Sequence, residues 1–205
     1  MVTILVAYAT LPPARAFFDE VAAFKESSGI AFPFLAAGLA GGMLPEFLRV
    51  TLFQRGRLNS ANLKSAFFGF FFWGGMGVLV DVFYQLQTTL FGSDPTLSTV
   101  VAKFLFDMLA FTPLIGVPLA TTAYLWKSHG FDRAIFADVL NLRGYRTFIV
   151  PVLIPNWAVW GPVVCVVYSL PTGLQLPVYI LAQAFWTLVL TTLTTSRSQE
   201  TSHSH

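Results

Sequence analysis

The chain is predicted to be an all-α polytopic membrane protein, a bundle of about five transmembrane helices with two further amphipathic helices in the membrane interface. Three observations predict it. Five long apolar stretches fill most of the sequence, and nearly every charge falls between them. Composition is also far from that of a soluble domain: 55% of the 205 residues are hydrophobic, 11% are charged and 21 are Phe. A soluble domain carries roughly 25% charge. With a mean hydropathy of +0.67, the chain lacks the polar surface that water demands, so lipid is its solvent.

A span needs about 20 mostly apolar residues, which places spans near 30–50, 65–90, 100–125, 147–169 and 174–194. Their separators are polar or turn-forming: Gln54-Arg55-Gly56-Arg57, Gly92-Ser93-Asp94-Pro95, Lys127 to Arg146, and Leu170-Pro171-Thr172-Gly173. The last is short enough to predict an antiparallel hairpin of spans four and five. Pro151, Pro155 and Pro162 interrupt the fourth stretch, so a re-entrant segment and a count of four is the alternative. Residues 1–27 read as an N-terminal interfacial segment, 28–195 as the transmembrane domain and 196–205 as a disordered polar tail.

The interfacial helices are expected over 12–26 and 131–142. The first opens with Pro12-Pro13, a good helix start, and sets Phe17, Val21 and Phe24 on one face against Arg15, Asp19, Glu20 and Glu26. The second sets Phe131, Ile135, Val139 and Leu142 against Asp132, Arg133, Asp138 and Asn141. Both patterns suit helices lying among headgroups. Loop helices packed on the bundle ends would show the same pattern.

Charge asymmetry sets orientation. With five passes, Arg49, Arg55, Arg57, Lys64, Lys127, Arg133, Arg143, Arg146 and Arg197 share one side, and Arg15, Lys25 and Lys103 the other. The N-terminus is therefore expected outside and the C-terminus inside. Met1 to Leu11 lacks the basic start of a cleavable signal, and Asp19, Glu20 and Glu26 are foreign to a mitochondrial presequence. Lone Cys165 cannot form an internal disulfide.

Ionisable groups inside spans are costly, so each is a functional candidate. Asp81 lies near the end of span two, while Lys103 and Asp107 lie near the start of span three, which runs the opposite way. At about 1.5 Å per residue all three fall at similar depth. Lys103 and Asp107 are also four apart, on one helix face. A cluster of these three is expected, either as the wall of an aqueous path or as a buried ion network fixing helix register. Glu46 and Arg49, three apart after Pro45, are a secondary polar pair near the inner interface. The runs Ala36 to Gly42 and Gly74 to Gly77 suit close helix packing. Phosphate loops, Ser/His/Asp order and paired His/carboxylate motifs are absent from the sequence, so no enzyme, cofactor, metal site or nucleic-acid partner is expected.

Three stretches resemble the Mpv-seventeen family, also described as that of the twenty-two-kilodalton peroxisomal membrane protein. Gly77-x-x-x-Asp81-x-Phe83-Tyr84 is similar to the family's Gly-Pro-x-x-His-x-Trp-Tyr element. Lys103 to Pro113, with Asp107 between, resembles its Lys-x-x-x-Asp-Gln-x-x-x-x-Pro stretch. Pro171 and Gln175, with Trp186 beyond, resemble its Val-Pro-x-x-x-Arg and later Trp. Asp81 stands where His is usual, Met108 replaces Gln, Gln175 replaces Arg and Val166-Val167 replaces Asn-Phe, so the chain reads as a divergent member. The resemblance implies a small helical protein of the mitochondrial inner or peroxisomal membrane, with weakly selective channel activity. A bacterial relative would sit in the cytoplasmic membrane. The rival expectation is a non-catalytic accessory subunit. Partners on either reading are membrane lipid and a homo-oligomer or larger membrane complex.

Overall fold

A computed structural model describes residues 10–203, with side chains described as far as residue 188. Among these residues there are helices and no strands. We number the helices α1 (Pro12–Ser28), α2 (Ala31–Phe53), α3 (Ser60–Phe91), α4 (Leu97–Ser128), α5 (Ala134–Val139), α6 (Leu142–Tyr168) and α7 (Thr172–His203). Among the described residues four are long and apolar enough to cross a membrane: α2, α3, α4 and α6. The chain therefore has the character of an integral membrane protein. The predicted fifth span, 174–194, lies within α7, which runs on past the last described side chain. Of the predicted disordered tail, 196–203 is the helical end of α7, and 204–205 lie outside the described residues. The fourth stretch is one 27-residue helix rather than a re-entrant loop: Pro155 and Pro162 both sit inside it without ending it.

Proline shapes the spans in a second way. Turns of π-helix precede Pro45 (Leu39–Met43) and Pro151 (Tyr145–Ile149), and one surrounds Pro113 (Asp107–Gly116). Proline lacks an N–H and its ring crowds the preceding turn. A widened turn absorbs that conflict while most backbone groups stay bonded, as lipid requires.

The chain forms two compact units, one running to Leu90 and resuming at Leu170, the other spanning Phe91–Ser169. The predicted hairpin partners, α6 and α7, are thus assigned to different units. In the first unit α2 and α3 meet through glycine. A Cβ on Gly42 would fall on the backbone of Gly69 and Phe70, and one on Gly77 would fall on Pro33 and Ala37. This is the close packing that small-residue runs permit. Helix α7 packs on α1 and α2, and its Leu174, Leu176 and Val178 are buried with Val80 and Phe83 of α3 among the core residues.

Helix α1 is both interfacial in pattern and packed. Its Ala22 and Lys25 face the unit, while Phe17 and Phe24 are 60% and 61% exposed. In the second unit the predicted 131–142 helix shortens to α5. Gly130 and Phe131 both take positive φ, ending the preceding turn, and the Asp132 carboxylate accepts from the Ala134 N–H at 2.9 Å. Ile135 and Val139 are buried in a cluster with Val117, Ile149 and Leu153, whereas Phe131 and Leu142 remain exposed. Helix α5 thus packs on α4 and α6 of its own unit, which is compatible with either expectation for this segment.

Candidate functional site

The first polar cluster forms around Asp81, on the buried side of α3. A carboxylate at this depth needs a partner for each oxygen. The Lys25 Nζ of α1 lies 2.8 Å from one oxygen, and the Gln85 side-chain amide donates to the other at 2.8 Å. These groups line a cavity of about 200 Å³, shared with Thr88, Thr172 and Gln175. Gln175 is 1% exposed. Its amide nitrogen donates to the Leu170 carbonyl at 3.1 Å, while its amide oxygen is buried without a hydrogen-bond partner among the described residues. Glu26 adds a second acid at the rim, so Lys25, Glu26 and Asp81 carry a net charge of −1. Gly173 lets α7 begin close against α1: a Cβ there would meet Ala22 at 3.2 Å.

The second cluster belongs to the other unit. Asp107 opens the π-helical stretch of α4, where the widened turn sets Thr112 five residues on within reach. The Thr112 hydroxyl donates to Asp107 at 2.9 Å, and the Tyr168 hydroxyl at the end of α6 donates to its other oxygen. Lys103, one turn earlier, is 1% exposed. The same stretch is stitched to α6 twice more. A π-type bond to the Met108 carbonyl would have to come from residue 113, which is Pro and has no N–H to give. The Trp157 indole N–H donates to that carbonyl at 3.0 Å instead. The Tyr145 hydroxyl donates to the Pro113 carbonyl at 2.9 Å.

The third polar group is at the α2–α3 end. Glu46 accepts from the Arg49 guanidinium at 3.1 Å, as the spacing predicts, and also from the Asn62 amide of α3 at 3.0 Å. Asn62 and Asn59 cap the start of α3 reciprocally, each side-chain oxygen accepting the other's backbone N–H, a capping-box arrangement.

Of the predicted trio, Asp81 therefore belongs to one unit and Lys103 with Asp107 to the other. Asp81 has Lys25 as its ion-pair partner, and Asp107 has two hydroxyls. The sequence reading missed Lys25, Gln85 and Tyr168. Lys25 was assigned to the same membrane side as Asp81, which was the signal available. Tyr168 sits at the end of its span, where an aromatic residue is usually an interfacial anchor. Gln183 also escaped notice, with both polar atoms of its amide buried and without a hydrogen-bond partner among the described residues. Among the positions resembling the family motifs, Gly77 makes the close approach to α2, Phe83 and Tyr84 are buried, and Pro113 centres the π-helical stretch. Pro171 precedes α7, Gln175 lines the cavity and Trp186 lies half-buried on α7.

Comparison with protein-family models, with curated proteins and with solved structures finds no match to this chain.

Proposed function

We propose that this chain is a non-catalytic membrane protein that lets small polar solutes permeate, a weakly selective pore of the kind its resemblance to the Mpv-seventeen family implies. The observation that carries this reading is the polar cavity beside Asp81. Ionisable groups inside a membrane protein tend to mark solute or ion paths. Here an ion pair, an amide oxygen with no hydrogen-bond partner among the described residues and two threonines surround a space of about 200 Å³, enough room for several waters at about 30 Å³ each. Asp81 and Lys25 are the principal solute contacts on this reading, with Gln175 beside them. The same resemblance favours a mitochondrial inner or peroxisomal membrane in a eukaryote and the cytoplasmic membrane in a bacterium. Positive charge on the segments following α2 and α4 favours those segments inside and the N-terminus outside.

The test starts from a Cys165→Ser background, because Cys165 is an exposed free thiol. Asp81→Cys in proteoliposomes is then treated with a membrane-impermeant thiol reagent from each side in turn. Labelling from both sides, with small-solute flux altered by Asp81→Asn, is expected. Labelling from one side only reduces the cavity to a dead-end binding pocket. Protection from both sides, with co-migration in a larger complex on native gels, supports the accessory-subunit reading instead. The closed network around Asp107 is the observation that favours that second reading, since its carboxylate bonds to protein hydroxyls.

A further inference from the structure

The first unit carries a second, larger recess. A groove of about 640 Å³ runs between α2 and α3, walled by Leu39, Ala40, Met43, Phe47, Leu63 and Ala66 among others. Five large apolar side chains along it are exposed: Leu39, Met43, Phe47, Leu58 and Leu63. Its polar lining is limited to Glu46 and Asn62, and these are bonded to each other, with Glu46 also held by Arg49. The groove thus offers nothing to a polar solute. It presents apolar walls between two helices that are long and apolar enough to cross a membrane.

The end of the groove is different. Val50 and Leu58 line it there, and the loop between them turns back on α2. Arg55 and Gly56 take φ of 53° and 75°, and the Gly56 N–H donates to the Val50 carbonyl at 2.9 Å. A non-glycine residue in the left-handed region is uncommon, and here the turn sets Arg55 and Arg57 in the short segment between Val50 and Leu58, both of which line the groove. Arg49, Arg55, Arg57 and Lys64 are all exposed. Against the single acid Glu46, already engaged by Arg49, they leave a local charge of +3.

We infer that this groove holds an acyl chain of an anionic phospholipid, whose phosphate is recognised by Arg55 and Arg57. Basic clusters at the cytoplasmic end of membrane helices attract anionic headgroups, each basic residue contributing on the order of a fivefold gain in affinity. Arginine suits a phosphate because its fork matches the oxygens in paired hydrogen bonds. A second copy of the chain is a poorer occupant. A two-fold axis along the membrane normal would bring equivalent surfaces together, and with them both sets of arginines. The site is separate from the cavity beside Asp81 and does not depend on the permeation reading.

The test is native mass spectrometry of the full chain released from bilayers of phosphatidylcholine mixed with phosphatidylglycerol. Wild type is expected to retain phosphatidylglycerol in preference to phosphatidylcholine. Arg55→Gln with Arg57→Gln should lower that preference by on the order of thirtyfold while leaving helical content unchanged. Ala40→Phe, which fills the groove, should reduce retention of either lipid. Should Ala40→Phe disturb folding, Leu63→Trp closes the groove from the opposite, exposed wall. Equal retention of the two lipids by wild type overturns the inference. So does unchanged retention in a folded groove-filling variant, or a dimer that excludes lipid from this face.

Discussion

A carboxylate placed inside a membrane span must find hydrogen-bond donors in the protein, because lipid offers none. Asp107 finds two in the hydroxyls of Thr112 and Tyr168. Tyr168→Phe keeps the ring and removes one donor, so it should destabilise the protein by about 0.5–2 kcal/mol, the range of polar contacts within membranes. Unfolding in detergent measures it, and unchanged stability would mean that water already serves Asp107. Trp157→Phe should cost a similar amount for a different reason: it strands the Met108 carbonyl beside a proline that cannot donate to it. The acid itself was legible, since ionisable residues inside apolar stretches announce themselves. Its partners were not, because a tyrosine and a threonine carry no signal beyond amphipathic bulk. Lys25 was hidden differently. An amphipathic pattern points lysine at headgroups, and here it reaches inward to Asp81.

At the scale of the element, the contact between α2 and α3 rests on which glycines face the partner. Gly42 and Gly75 lie in equally glycine-rich runs, yet their surroundings differ. Added bulk at Gly42 meets the backbone of Gly69 and Phe70, whereas a Cβ at Gly75 meets nothing within 4 Å. Backbone cannot move aside as a flexible side chain does. Gly42→Ala should therefore destabilise the bundle by about 1–3 kcal/mol, as overpacking does. Gly75→Ala should be neutral or stabilising by up to about 1 kcal/mol through helix propensity. Thermal unfolding of the two variants side by side checks this, and equal effects would mean that the helices do not cross at Gly42. The runs of small residues were plain in the sequence. Their division of labour was not, because it depends on a crossing point that only the packed helices define. Helix α5 shows the same limit: its periodicity was visible, but positive φ at Gly130 and Phe131 fixed where it could begin.

For the whole molecule, hydropathy and charge carry most of what the sequence discloses, since the bilayer punishes any departure from them. They define the helical class and the positions of α2, α3, α4 and α6, and they predict a side for each connection. The division into two compact units escaped them, because apolar residues facing lipid and apolar residues facing protein look alike in composition. The proposed orientation still makes a sharp demand. The connection after α2 carries Arg55 and Arg57 and the one after α4 carries Arg133, while the connection after α3 has no basic residue between Gly92 and Thr96. Moving the first two across a membrane is opposed by their charge, whereas the third crosses freely. In the Cys165→Ser background, Ser93→Cys should therefore label from outside with an impermeant reagent, and Arg57→Cys and Asn141→Cys only after permeabilisation. Ser198→Cys extends the test to α7: protection like that of Arg57→Cys means that α7 crosses and the spans number five. Labelling from outside at Ser198→Cys would leave four crossings. Labelling of Arg57→Cys from outside would reverse the orientation altogether, and with it the membrane leaflet against which the basic mouth of the α2–α3 groove opens.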